Sequence, residues 1–185
     1  MRKPNAKERI LDVAGELFFK RGYSEVGVNE IIEKAETAKA SFYQHFKSKE
    51  CLCEAWLQEM HALSEQRRTE LLASQASASE KVSTYFDQLR DFLIESEFRG
   101  CPYSNTGTIP AEEESGILRS IRLHKQSMRE FFRKVCEERF ADPETAATIG
   151  DRLFLLYSGA TVEAQNLRSL WPIATAKEAA LDLVA

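Results

Sequence analysis

The stretch that decides the fold is Ile31-Ile32-Glu33-Lys34-Ala35-Glu36-Thr37-Ala38-Lys39-Ala40-Ser41-Phe42-Tyr43-Gln44-His45-Phe46-Lys47-Ser48-Lys49-Glu50. Ile31 and Ile32 centre a short apolar segment of about eight residues that ends near Ala35, and a second short segment runs from Ala38 to His45. A joint of about three residues separates them, which is the spacing of a helix-turn-helix. Thr37 is placed to cap the second helix, whose first turn presents Lys39 and Ser41. Phe42 and Phe46 lie four apart and share one face that packs inward. Tyr43, Gln44 and His45 are left on faces able to meet a DNA groove. A reading of Phe42 and Tyr43 as mere core aromatics leaves Lys39, Lys47 and Lys49 unaccounted for around so short a helix.

Upstream, Ile10, Val13, Ala14, Leu17 and Phe18 recur at helical spacing from Ala6 to Arg21, and Gly22 follows as a stop. Downstream, Ser48 caps a long helix with Glu50 in its first turn and Leu52, Ala55, Trp56, Met60 and Leu63 as its buried stripe. After the polar stretch Ala73 to Ser79, a further helix carries Val82, Tyr85, Phe86, Leu89, Phe92 and Leu93. Arg99 to Pro110 is dense in turn formers and reads as a loop with a short helix starting at Pro102. Ile117, Ile121, His124, Met128, Phe131, Phe132 and Val135 mark another long helix. Pro143 opens one that runs through Leu167, and Pro172 sets off a last one ending near Val184. No strand-period run and no repeat interrupts this all-α pattern: a three-helix head of residues 1–48 and a larger helical domain of residues 49–185.

The formal net charge of -4 speaks against nucleic acid only as an average. Residues 1–50 hold ten Lys or Arg against eight Asp or Glu (+2), and the remainder fifteen against twenty-one (-6), which sums to -4. The positive charge is therefore at the end that carries the helix-turn-helix. No segment is apolar over the span a bilayer requires, and the polar N-terminus is unlike a signal sequence, so a cytoplasmic location is expected. Cys51, Cys53, Cys101 and Cys136 lack the spacing of a disulfide framework or a zinc site. His61 is expected on a solvated face and His124 in the core. With no Glu-x-x-His or His-x-x-x-His pair on any predicted helix, an enzyme has no spacing to support it, and neither cofactor nor metal is expected. A helical scaffold that binds no DNA would not need the cluster from Tyr43 to Lys49.

Residues 8 to 56 resemble the DNA-binding head of the TetR (tetracycline repressor) family. The match lies in the run from Ile10 to Gly22-Tyr23, in Ile31-Ile32-Glu33-Lys34-Ala35, and in Ser41 through Glu50. The resemblance implies a homodimeric transcriptional repressor that binds a near-palindromic operator and is released by an inducer. The expected DNA-contacting set is Thr37, Lys39, Ser41, Tyr43, Gln44, His45 and Lys49. In it, Tyr43 and Lys49 grip phosphates, Lys39, Ser41 and Gln44 face base edges or nearby backbone, and His45 helps at the backbone. The turn departs from the commonest family form: Glu36 stands for a frequent Gly, Ala38 for a frequent Ser and Ala40 for a frequent Gly. Glu36 is expected to point away from the groove.

Phe98-Arg99-Gly100-Cys101-Pro102 resembles the LmrA/YxaF-like and NemR-like branch of that family, in some members of which a cysteine senses electrophiles or oxidants. A helix N-terminus and Arg99 would both favour the Cys101 thiolate. The competing reading is a small residue packed beneath a turn. Cys136 is its partner thiol only by elimination. Phe86, Phe92, Phe98, Tyr103, His124, Met128 and Phe132 either line a ligand pocket or fill the core. The resemblance further implies that the last two long helices pair with those of a second copy, through Leu156, Gly159, Ala160, Glu163, Leu167 and Trp171. The recognition helices would then lie about 34 to 36 Å apart, one turn of B-DNA.

Overall fold

A computed structural model describes residues 4–107 and 115–185. Pro110, read as the end of the loop, lies outside the described residues. These residues form nine helices and no strand: α1 Ala6–Arg21, α2 Val28–Lys34, α3 Lys39–His45, α4 Lys49–Ala73, α5 Ala78–Glu95, α6 Pro102–Thr106, α7 Gly116–Glu137, α8 Pro143–Leu167 and α9 Trp171–Val184. Local chemistry sets most of the boundaries. α1 begins at a capping box in which the Asn5 side chain accepts from the Glu8 N–H at 3.0 Å and Glu8 accepts from the Asn5 N–H at 2.8 Å. Ser77 and Glu80 repeat the device on α5. Asp142 caps α8 beside Pro143, accepting from the Thr145 N–H at 2.9 Å.

The contacts divide the chain into two compact units. The first, Met1–Ala62 with Pro102–Leu123, joins α1 to α3, the first part of α4, α6 and the start of α7. It takes in more chain than residues 1–48, because α4 is anchored to the head by its own apolar face. Ile10, Ile31, Phe42, Leu52 and Leu57 are fully buried there. α1 and α4 approach so closely at Gly15 that an added Cβ would lie 2.7 Å from the Trp56 ring. Within the same unit the buried Tyr103 hydroxyl of α6 donates to the Leu57 carbonyl of α4 at 2.8 Å.

The second unit, Leu63–Cys101 with His124–Ala185, has its own core around Val82, Phe86, Phe132, Val135, Leu153 and Ala180. α9 packs on both α8 and α5. Its two buried cations are paired: Lys81 donates to Glu138 at 2.7 Å and to the Leu72 carbonyl at 3.0 Å. Arg68 donates to Glu65 at 2.8 Å and to Ser127 at 3.1 Å.

The structure corrects four sequence expectations. Thr37 does not cap α3: Ala38 occupies the N-cap, with no side-chain hydrogen bond. Leu63 leaves the buried stripe of α4 and is exposed, the side of the helix that faces inward having turned to Arg68. His61 is half-buried rather than on a solvated face. Ala160 is buried in the core of its own unit.

Candidate nucleic-acid interface

α3 separates its faces cleanly. Phe42 is fully buried and Phe46 nearly so, with ring centroids 6.2 Å apart. Lys39, Ala40, Tyr43, Gln44, His45 and Lys47 are exposed, and Thr37 and Ser41 are half-buried. Tyr43 keeps 48% of its surface open while its ring edge packs on Phe42 at 5.2 Å. A buried aromatic thus orients an exposed phenol, which limits the entropy lost when that phenol meets a ligand. The outward surface is a row of hydrogen-bonding and cationic side chains with no large aliphatic among them, which is what phosphate and base edges require.

The turn that aims α3 is made by backbone geometry. The Thr37 N–H donates to the Ile32 carbonyl at 3.1 Å, closing a Schellman turn at the end of α2. Glu36 sits at the left-handed position of that turn, with φ 48°. A glycine would adopt this conformation without the steric cost that a Cβ brings. Glu36 is exposed. Arg9 reaches over from α1 and donates through Nε to the Ala35 carbonyl at 3.1 Å and through Nη2 to the Glu36 carbonyl at 3.4 Å. The sequence reading missed Arg9, because a pairing across 26 residues leaves no local pattern.

Lys49, for which the resemblance implies a phosphate contact, is turned in part to the head itself. Its Nζ donates to the Tyr23 carbonyl at 2.8 Å and the Val26 carbonyl at 2.9 Å, and lies 4.1 Å from the centre of the Tyr23 ring. Burial is the main influence on it and lowers its pKa from the usual lysine value. Two of its three donors therefore tie the α1–α2 loop to the start of α4, and one is left for other partners. Cys53 lies beneath this contact, and burial pushes its thiol up to about 12.

Cys101 is partly exposed and has a cation beside it: the Lys125 Nζ lies 3.7 Å from its Sγ. Lys125 comes from α7, 24 residues away, so the sequence offered only Arg99 for this role. The loop before Cys101 carries two successive left-handed residues, Glu97 at φ 52° and Phe98 at φ 59°. Cys136 is buried and its thiol is pushed up to about 11, which makes it an unreactive partner. Cys51 is exposed.

The aromatic positions offered as pocket lining have separate surroundings. Phe86, Met128 and Phe132 belong to the packed core of the second unit, where Tyr157 meets Phe86 at 5.4 Å and Phe132 at 5.8 Å. Phe92 and Phe98 pack against that core from its margin. His124 is buried. Tyr103 belongs to the first unit and is committed to Leu57.

α8 and α9 share an open groove of about 660 Å³ lined by Leu155, Leu156, Gly159, Glu163, Trp171 and Leu183 among others. Leu155 is 66% exposed and Trp171 59%, the two most exposed large apolar side chains among the described residues, and Leu167 is 52% exposed. A Cβ added at Gly159 would meet nothing within 4 Å. The chain's own packing therefore does not require glycine there.

A buried hydrophobic pair on a seven-residue helix, an outward cationic and hydrogen-bonding face, and a braced three-helix support define a helix-turn-helix DNA-binding protein. The family model described as "Bacterial regulatory proteins, tetR family" matches residues 10–56. The chain is 28% identical over 185 residues to the HTH-type transcriptional repressor NemR of Escherichia coli, covering 93% of this chain and 90% of NemR. It is 48% identical over 48 residues to the HTH-type transcriptional regulator QacR of Staphylococcus aureus, 26% of each chain. A crystal structure of a TetR transcriptional regulator from Legionella pneumophila shares the fold with a TM-score of 0.85 over the whole of both chains at 23% identity. Residues 10–56 are thus similar to the bacterial tetR regulatory proteins, and over most of its length the chain is similar to a DNA-binding transcriptional repressor. Among the described residues, no helix is long and apolar enough to cross a membrane.

Proposed function

We propose that this chain is a cytoplasmic repressor that binds a near-palindromic operator as a homodimer and is released by a small-molecule or thiol-reactive signal. Residues 1–48 contact DNA, and residues 49–185 sense the signal and hold the dimer. The observation that carries this reading is the division of α3 into a sealed aromatic face and an open polar one. Tyr43 and Lys47 meet phosphates, Lys39, Ser41 and Gln44 approach base edges, and Thr37 and His45 serve the flanking backbone. Lys49 acts chiefly by fixing the head from which these groups project, with one N–H left for a phosphate.

The apolar groove of α8 and α9 is the dimer surface, with Leu156, Gly159, Glu163, Leu167 and Trp171 taking part and Ala160 supporting from beneath. Cys101 is the sensing thiol, partly exposed and with the Lys125 Nζ 3.7 Å from its Sγ. With an α,β-unsaturated carbonyl, the sulfur gives its proton to water and adds to the β-carbon, so that a C–S bond forms, the C=C π bond breaks and the α-carbon takes a proton from water. The modified loop, with Phe98 beside it, no longer packs on the core of Phe86, Met128 and Phe132, and His124 lies on the same helix as Lys125. Operator binding falls when the heads cease to fit successive grooves. The operator in turn weakens binding of a reversible inducer by the same factor.

The test is a gel shift against the DNA upstream of the chain's own coding sequence at two salt concentrations, with and without N-ethylmaleimide. A salt-sensitive complex lost on alkylation, and retained by Cys101→Ser, is expected. Release that persists in Cys101→Ser moves the reactive thiol elsewhere, first to the exposed Cys51, a complex that alkylation does not release turns sensing to a reversible ligand, and absence of any complex with that DNA and with operators selected from a random library sinks the repressor reading.

A further inference from the structure

We propose that Arg9 is a positioning residue of DNA recognition, a side chain of α1 that holds the helix-turn-helix turn at the angle from which α3 reads its operator. The turn lacks both of its usual local supports. Its left-handed position is filled by Glu36, at φ 48°, where a Cβ is disfavoured. The N-cap of α3 is Ala38, which offers no side-chain acceptor to the free N–H groups of the helix.

What the turn lacks locally, Arg9 supplies from a distance. Its guanidinium donates to Ala35 at 3.1 Å and to Glu36 at 3.4 Å, the two consecutive carbonyls at which the chain leaves α2. A third bond, to the Pro4 carbonyl at 3.1 Å, fixes the near end of the side chain's surroundings. Only a planar fork of several N–H donors serves carbonyls spread in this way, so lysine is not an equivalent. α1 is itself anchored by Gly15 beneath Trp56, so the brace transmits a fixed reference to the turn. Three to four residues beyond it, the direction of α3 decides whether Ser41 and Gln44 reach base edges at all.

A brace of this kind entails a specific epistasis. If Arg9 offsets the cost of a non-glycine residue in the left-handed position, then glycine at position 36 should make Arg9 largely dispensable. Operators selected by the wild-type protein from a random-sequence duplex library serve as probes, with dissociation constants read by fluorescence anisotropy and folding by thermal melts. Arg9→Ala is expected to weaken operator binding about tenfold, the scale of two lost charge-assisted hydrogen bonds. Arg9→Lys should behave like Arg9→Ala. R9A combined with E36G should regain most of the loss, while R9A combined with E36Q, which removes the same charge without freeing the backbone, should not.

Unchanged affinity in Arg9→Ala overturns the proposal. So does a loss that E36G fails to restore, or one that E36Q restores equally, which would make charge rather than turn geometry the cause. A loss accompanied by a salt slope lower by about one identifies Arg9 as a phosphate contact and also overturns it. Should Arg9→Ala not fold, the same comparison is made with Arg9→Lys and its E36G and E36Q doubles. The wild-type measurement in the same series tests DNA binding itself, so failure of that reading is seen separately.

Discussion

Two surfaces of this protein are built on helices with buried apolar stripes, yet they present opposite chemistry to what lies outside. α3 hides Phe42 and Phe46 and turns outward Lys39, Tyr43, Gln44 and Lys47. α8 and α9 hide Leu153, Ala164 and Ala180 and leave Leu155, Leu167 and Trp171 uncovered. The first face suits a hydrated polyanion, where cations displace counterions. The second suits an apolar partner, because aliphatic and indole surface of this extent gains by leaving water. The outward residues, not the helices, decide which partner each face takes.

The largest expected effect separates these two faces. Leu155→Glu places a charge in the α8–α9 groove without touching the chain's own core. It should yield a folded monomer in sedimentation, with operator affinity reduced by about 100-fold or more through loss of the second head. A dimer that persists would remove the groove from the interface. Gly150→Ala probes the other side of α8, where an added Cβ would lie 2.7 Å from the Arg133 backbone. It should lower stability by about 1–3 kcal/mol in denaturant melts. Gly159→Ala, with open space around its Cβ, should leave monomer stability unchanged or slightly raised.

A comparable loss is expected in the head from Lys49→Met. Leaving the Tyr23 and Val26 carbonyls without their donor should cost about 1–3 kcal/mol of stability while the salt slope of DNA binding stays near the wild-type value. A slope lower by about one would return Lys49 to the phosphate contacts.

The smallest effects are those of pH, and the two units respond alike on the alkaline side. Burial keeps the Cys53 and Cys136 thiols neutral in the folded chain, pushed up to about 12 and about 11. The unfolded chain gives up these protons above about pH 8.5, so stability is full below that value and falls as pH rises toward the folded values. Asp151 works in the opposite direction. Hydrogen bonds from Arg129 and Arg133 hold its carboxyl well below the usual range, so its contribution is present above the unfolded pKa and is lost on acidification. Urea melts at pH 7, 9.5 and 3 check both signs, and a Cys53→Ala, Cys136→Ala double variant should flatten the alkaline limb.

Much of the site was legible because it depends on local pattern. The bounds of α1 and α8 follow from Gly22, Pro143 and the spacing of their apolar residues. The pairing of Phe42 with Phe46 follows from a separation of four. What was misread turns on contacts that skip many residues. Thr37 was expected to cap α3, yet the Schellman turn at the end of α2 uses its backbone N–H and leaves Ala38 at the cap. Leu63 has the spacing of a buried residue, but Arg68 takes the interior position on α4 because Glu65, Tyr85 and Ser127 are there to receive its charge.

By itself the sequence determined that the chain is all-helical, that it carries a helix-turn-helix at its basic end, and which face of each helix is apolar. These properties follow from periodicity, capping and turn chemistry, all of which act within a few residues. The tertiary structure alone decided that Arg9 braces the turn, that Lys49 is spent largely on the head's own carbonyls, and that Lys125 stands beside Cys101. Each of these is a single charged group meeting a partner 23 or more residues away. Such a pairing costs chain entropy to form and is stabilised only by the packing of whole helices, so it exists in the folded chain and has no signature along the sequence.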